Sequence, residues 1–181
     1  MVIHFNGMPG VGKLTIAKAL AAKTGGTLID NHMIIDVVVL THPRGTPGYR
    51  PAVQAGFLNY ISNIAEEPDS KIYILTNALA SELPEDRELL SSIANAARQA
   101  GHSFVQILIK CDWDENLRRV VADDRATKGK LRDTVLADEL RKKYTIYHPH
   151  ADYMMTIDSS HISPEAAADK VIGFIKKMNI A

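Results

Sequence analysis

The sequence has 181 residues, 46% of them hydrophobic, with 21 basic side chains balanced by 21 acidic ones. That length and apolar content suit one compact domain that buries most of its surface without cross-links, and a net charge of zero gives no footprint for a nucleic acid or an anionic membrane. A single cysteine, Cys111, excludes an internal disulfide framework and a cysteine-only metal site, so the expectation is a structural thiol in a reducing, cytoplasmic setting.

The opening MVIHF is apolar but is broken by His4 and soon meets glycine and proline, too short for a signal core or a membrane span. The expectation is a chain neither exported nor membrane-inserted. Residues 2–6 form the first strand candidate, and a helix over 14–23 follows, closed by Gly25 and Gly26. Residues 27–29 read as a second strand, and the uniformly apolar run 33–40 predicts a buried helix. Three prolines and two glycines in THPRGTPGYRP, residues 41–51, mark a loop before a helix over about 52–65 and a strand over 71–76.

Pro84 begins a helix that ends near Gly101, and 103–110 is the fourth strand. Asp112, three residues before Glu115, resembles a capping box for a helix to about Asp124, in which Leu117, Val120 and Val121 mark a buried stripe. Residues 154–158 supply a fifth strand. Ser163-Pro164-Glu165 starts a last helix, with Val171, Ile175 and Met178 along one face. Five strands interleaved with helices predict a three-layer α/β domain around a parallel sheet, with right-handed crossovers.

The turn between the first strand and the first helix carries the chemistry. GMPGVGKLT, residues 7–15, has the spacing G-x-x-x-x-G-K in the strand–turn–helix setting where that spacing has a mechanism. Gly7, Gly10 and Gly12 let successive backbone N–H groups face inward, and the helix start adds its positive end, so the loop makes a nest for polyphosphate. Lys13 then reaches the outer phosphates as a point charge, which a merely connecting turn would not need. The next position normally carries the hydroxyl that coordinates Mg²⁺, and Leu14 cannot.

With this loop and this order of elements, the chain resembles the small-molecule branch of the P-loop kinases, which includes shikimate kinase, gluconate kinase, nucleoside monophosphate kinases and antibiotic phosphotransferases. The resemblance implies a P-loop NTPase fold with sheet order 2-3-1-4-5, as one domain over 1–181 with a small lid at about 118–133 and an acceptor-binding region at about 30–68. It implies ATP as donor, bound by Gly7, Pro9, Gly10, Val11, Gly12, Lys13, Leu14, Thr15 and Arg119, with Thr15 facing the innermost phosphate. Mg²⁺ would be held through phosphates, waters and a nearby carboxylate.

In NLRRVVADDRATKGKLRD, residues 116–133, Arg118 and Arg125 lie seven apart and fall on almost the same helix face, while Arg119 points elsewhere. By resemblance Arg125 with Arg118 or Arg119 closes over the nucleotide, and Lys128, Gly129 and Lys130 belong to the moving lid. A solvated basic face beside Asp123 and Asp124 is the alternative. Asp30-Asn31-His32 stands where shikimate kinase has an Asp-x-Asp pair, so the resemblance implies that Asp30 orients the acceptor hydroxyl, accepts its proton late or holds a metal-bound water. Equally, Asp30 or Asn31 caps the next helix; His32 is a candidate substrate contact, with a structural role beside the apolar helix as the alternative.

Two departures argue against shikimate itself: Thr76-Asn77-Ala78 replaces a glycine-rich turn, and Tyr147-His148 stands near the place of a substrate arginine. Arg44, Arg50 and Arg87 are the candidates for a carboxylated acceptor. The resemblance also places the loop 158–162 near the nucleotide base. His148, His150 and His161 lack a zinc pattern, and the lone Trp113 is expected to pack. The leading reading is an ATP-dependent phosphotransferase acting on a small molecule, with Lys13, Asp30, Arg118 and Arg125 as catalytic residues, as a monomer or weak homodimer with no nucleic-acid or membrane partner. The alternative, which Leu14 favours, is a nucleotide-binding module with little or no transfer. No guanine-reading N-K-x-D is found, which favours ATP over GTP.

Overall fold

Strands apolar on both faces can bury them only in a sheet covered on two sides. The computed structural model describes residues 1–64, 71–122, 131–149, 151 and 153–179. In chain order its elements are β1 (Val2–Asn6), α1 (Lys13–Thr24), β2 (Thr27–Asp30), α2 (Asn31–Val38), α3 (Tyr49–Ile64), β3 (Tyr73–Asn77), α4 (Pro84–Gln99), β4 (Phe104–Lys110), α5 (Trp113–Val120), α6 (Thr134–Lys143), β5 (Tyr153–Asp158) and α7 (Pro164–Lys177). The strands form one parallel sheet in the order β2-β3-β1-β4-β5, as the resemblance implies.

Alternation along the strands divides the core in two. Ile3, Phe5, Val105 and Ile107 pack with Ile16, Leu20 and Val171 of α1 and α7. Val2, Tyr73, Leu75 and Phe104 pack with Phe57, Ile61, Leu90 and Ile93 of α3 and α4. Each central strand thus serves both layers, and its C-terminal end opens onto the loops that follow.

His4 alternates with Ile3 and Phe5 on β1 and is fully buried, its Nε2 3.0 Å from Asn77 Oδ1 and its ring stacked on Phe104. Burial pushes its pKa down from 6.5 to about 4, against the opposing pull of the Asn77 hydrogen bond. Below pH 6.5 the unfolded chain therefore binds a proton that the folded chain refuses, and stability falls as pH drops from 6.5 towards about 4. Urea unfolding is expected to show a loss on the order of 3 kcal/mol across that window from this residue. His4→Gln is expected to flatten the slope; an unchanged slope would show that His4 titrates normally.

Several local expectations give way to packing. The run 33–40 is not a buried helix: in α2 only Ile35 is buried, while Met33, Val37 and the following Leu40 are 62%, 66% and 80% exposed. β2 is an edge strand, so α2 rests on α3 and the ends of β2 and β3 along one face only. α3 begins at Tyr49, inside the expected loop, with Pro51 tolerated in its first turn. Asp112 occupies the N-cap of α5 without a side-chain cap bond, and Glu115 turns to Arg118 and Arg119 instead of closing a capping box. Charge-assisted bonds to two guanidinium groups outcompete one to a backbone N–H.

α5 ends at Val120 rather than near Asp124, and its buried residues are Asn116 and Val120; Val121 is 48% exposed. Met178 lies past the last turn of α7 and is 43% exposed, so it does not extend the face of Val171. Ser163 caps α7 as expected, its Oγ accepting from Ala166 N at 3.1 Å. α6 was not anticipated, although Asp133 caps it by accepting from Val135 N and Leu136 N. Among the described residues no helix is long and apolar enough to cross a membrane.

Candidate functional site

The glycine-rich turn leaves β1 at the middle of the sheet. Gly10 and Gly12 have φ of 92° and 91°, a left-handed conformation that favours glycine. A side chain on Gly10 would also meet Asn116 Nδ2 and Val120 Cγ2 at 2.8 Å. Asn116 Nδ2 in turn donates to Pro9 O at 2.9 Å, so α5 grips the outside of the turn. Gly12 is the N-cap of α1, whose first turn carries no acidic side chain. The first N–H groups of a helix have no carbonyl partner within it, and such an end favours an anion. Lys13 Nζ folds across the turn, donating to Gly7 O at 2.6 Å and Met8 O at 2.9 Å.

Asn6, the last residue of β1, is fully buried and makes four hydrogen bonds. Its Oδ1 accepts from Gly7 N at 3.0 Å and Leu79 N at 2.9 Å, and its Nδ2 donates to Tyr147 O at 2.8 Å and Leu79 O at 3.3 Å. One amide thereby fastens the start of the turn to the loop after β3 and to the segment after α6. Sequence reading passed over it because nothing local distinguishes an asparagine at a strand end.

A cavity of about 1050 Å³ runs from this turn across the C-terminal ends of β2 and β3. Lys13, Leu14 and Thr15 line it together with Asp30, Asn31, His32, Arg44 and Arg50. Asp30 is the N-cap of α2 but makes no side-chain cap bond. The Thr76 hydroxyl donates to Asp30 Oδ1 at 3.0 Å and accepts from Asn31 N at 3.3 Å, so a side chain from β3 relieves Asp30 of capping. Asn77 Nδ2 donates to Asn31 Oδ1 at 3.1 Å. Of the three candidate arginines, Arg50 pairs with Asp86 at 2.7 Å, Arg44 lies 5.8 Å from the centre of the Tyr49 ring, and Arg87 donates to Ser81 O away from the cavity.

Arg118 and Arg119, the described candidates for closing over the nucleotide, separate. Arg118 is exposed and clasps Glu115 with Nε and Nη2, both at 2.7 Å, outside the cavity lining. Arg119 turns towards the glycine-rich turn, though it too is outside the cavity lining: Nε donates to Glu115 at 2.6 Å and Nη2 to Ser159 O at 2.8 Å, with Nη1 beside the turn at Val11. Hydrogen bonds from Arg118 and then Arg119 hold the Glu115 carboxyl down to about 2. Arg125, Lys128, Gly129 and Lys130 lie outside the described residues. α6 contributes Leu136 and Leu140 to the cavity wall, and its Arg141 sits 4.5 Å over the Trp113 ring. Burial raises the Cys111 thiol above its ordinary value.

No family model matches the chain, and no curated protein matches it. Solved structures do. A putative kinase from Chloroflexus aurantiacus J-10-fl superposes with a TM-score of 0.69 at 19% identity, over 96% of this chain and 97% of that one. A gluconokinase from Sinorhizobium meliloti 1021 gives 0.66 at 11% identity, over 98% and 92%. Shikimate kinase from Acinetobacter baumannii, in complex with shikimate, gives 0.57 at 16% identity, over 99% and 95%. At such identities the likeness is one of fold. The five-stranded parallel sheet in the order 2-3-1-4-5, with helices on both sides, is the fold of the P-loop kinases, and kinases of that family are the structural neighbours of this chain.

Proposed function

We propose that the protein is an ATP-dependent phosphotransferase that moves the γ-phosphoryl group to a hydroxyl of a small molecule. It would act as one cytoplasmic domain over 1–181, a monomer or weak homodimer, with its acceptor region at about 30–68 and its lid at about 118–133. The observation that carries this reading is one cavity joining the Lys13 turn to the Asp30 carboxylate, so that donor and acceptor can meet without leaving it. Lys13 exchanges the Gly7 and Met8 carbonyls for β- and γ-phosphate oxygens. Asp30, held by Thr76 and free of capping, orients the acceptor hydroxyl and receives its proton late in a loose transition state. Arg118 and Arg125 are assigned to charge neutralisation on lid closure, and Arg119 to the nucleotide.

Nucleotide sites of this kind work with Mg²⁺. The Leu14 side chain offers no oxygen, so the usual hydroxyl ligand is missing, and among the described residues no three His, Cys, Asp or Glu side chains form a metal cage. A hydrated ion carried by the phosphates fits, with Asp30 contributing through water. Bound there, it would neutralise the bridging phosphate oxygens.

Calorimetric titration with ATP, in Mg²⁺ and then in EDTA, tests the reading together with transfer of labelled γ-phosphate to a small-molecule extract. Mg²⁺ is expected to tighten ATP binding, and Leu14→Thr, which restores the hydroxyl, is expected to enlarge the Mg²⁺ effect by about tenfold. Leu14 also favours a second reading, a nucleotide-binding module. ATP binding indifferent to Mg²⁺, with no label transferred, would establish that one.

A further inference from the structure

Ser159 follows β5 directly and is 3% exposed. Its N–H donates to Lys110 O at 2.8 Å, which fastens it to the end of β4. Its hydroxyl donates to Val11 O at 2.8 Å, with Lys110 O a second acceptor at 3.1 Å, and accepts from Arg119 Nη1 at 3.1 Å. Arg119 approaches the same Val11 carbonyl at 3.5 Å, too long to hold it alone. Its other nitrogens are engaged by Glu115 and by the Ser159 carbonyl, so the guanidinium braces the serine from behind.

We propose that Ser159 is a positioning residue for polyphosphate, fixing the Val11–Gly12 peptide plane so that the Gly12 N–H faces the phosphate nest. The proposal rests on the nucleotide-binding reading. The Val11–Gly12 peptide bond is trans, and in a planar trans peptide the carbonyl and the next N–H point to opposite sides. The Val11 carbonyl is turned outward to Ser159, so the Gly12 N–H is turned away from β5, towards the cavity that Gly12 lines. Gly12 has φ of 91°, and glycine on that side of the peptide does little to resist a flip. The orientation must come from a partner, and the Ser159 hydroxyl supplies it.

This role separates from base recognition because pyrophosphate has no base. Pyrophosphate and ATP should be titrated into the wild-type protein and Ser159→Ala, with thermal melts to confirm folding. Both ligands are expected to weaken by the same factor, about five- to tenfold. The Gly12 amide proton is expected to shift on adding pyrophosphate to the wild type and to respond much less in the variant. If Ser159→Ala is too unstable to titrate, Ser159→Cys keeps the shape with a weaker donor and is expected to show the same paired loss. Unchanged pyrophosphate affinity overturns the proposal, as does a loss confined to ATP, which would place Ser159 with the base. A wild-type protein that binds neither ligand overturns the nucleotide reading itself.

Discussion

Lys13→Ala is expected to weaken ATP binding by at least roughly a hundredfold while leaving the melting curve nearly in place. The Nζ sits over the turn on two carbonyls, Gly7 O at 2.6 Å and Met8 O at 2.9 Å. Both contacts are made at the partly exposed mouth of the cavity, so their loss costs the fold little. Phosphate oxygens in their place make charge-assisted bonds, each worth about 1.5–3 kcal/mol, and two such bonds amount to a factor of a hundred or more. Calorimetric titration with ATP beside a thermal melt separates the two effects. Unchanged ATP affinity would show that the turn holds no phosphate, and unchanged transfer would remove Lys13 from the chemistry.

The second large effect is on stability. Asn6→Asp keeps the size of the side chain and the acceptor facing Gly7 N and Leu79 N, but it removes the donor that serves Tyr147 O and Leu79 O. At neutral pH a buried carboxylate oxygen then faces two carbonyl oxygens with no water, which costs about 3 kcal/mol or more. For a chain of this size that corresponds to a fall in Tm of roughly 6–12 °C. The sign with pH is a further check. Burial and the facing carbonyls raise the folded-state pKa of the new carboxyl, so the folded chain binds the proton more readily and the deficit shrinks as pH falls. A deficit independent of pH would show that the site admits water. ATP affinity is expected to fall alongside, because the same amide anchors Gly7 N at the start of the turn.

The parts of the molecule legible in the sequence are those whose causes are local. The strand runs of β1, β3 and β4 read correctly because their apolar content has no other use than a sheet covered on both faces. The glycine-rich turn read correctly because its positive φ values favour glycine wherever the rest of the chain goes. Ser163-Pro164-Glu165 announced α7 because a cap acts within one turn. In each case a few adjacent residues carry the whole physical reason.

What the tertiary structure alone decided has its causes far along the chain. The apolar stretch of α2 remained largely exposed because β2 is the edge strand and leaves one side of the helix without a partner. Arg118 and Arg119 are adjacent in sequence, yet only Arg119 reaches the turn, through contacts spanning 108 residues to Val11 and 40 residues to Ser159. Asn6 meets Tyr147 across 141 residues, and Ser159 meets Val11 across 148. A hydrogen bond has a direction and a reach of about 3 Å, so a polar residue's role depends on which carbonyl the fold delivers to it. Composition and periodicity carry no such address; they determine that a sheet forms and that a glycine turn follows its first strand, and the assembled sheet decides which side chains hold that turn in shape.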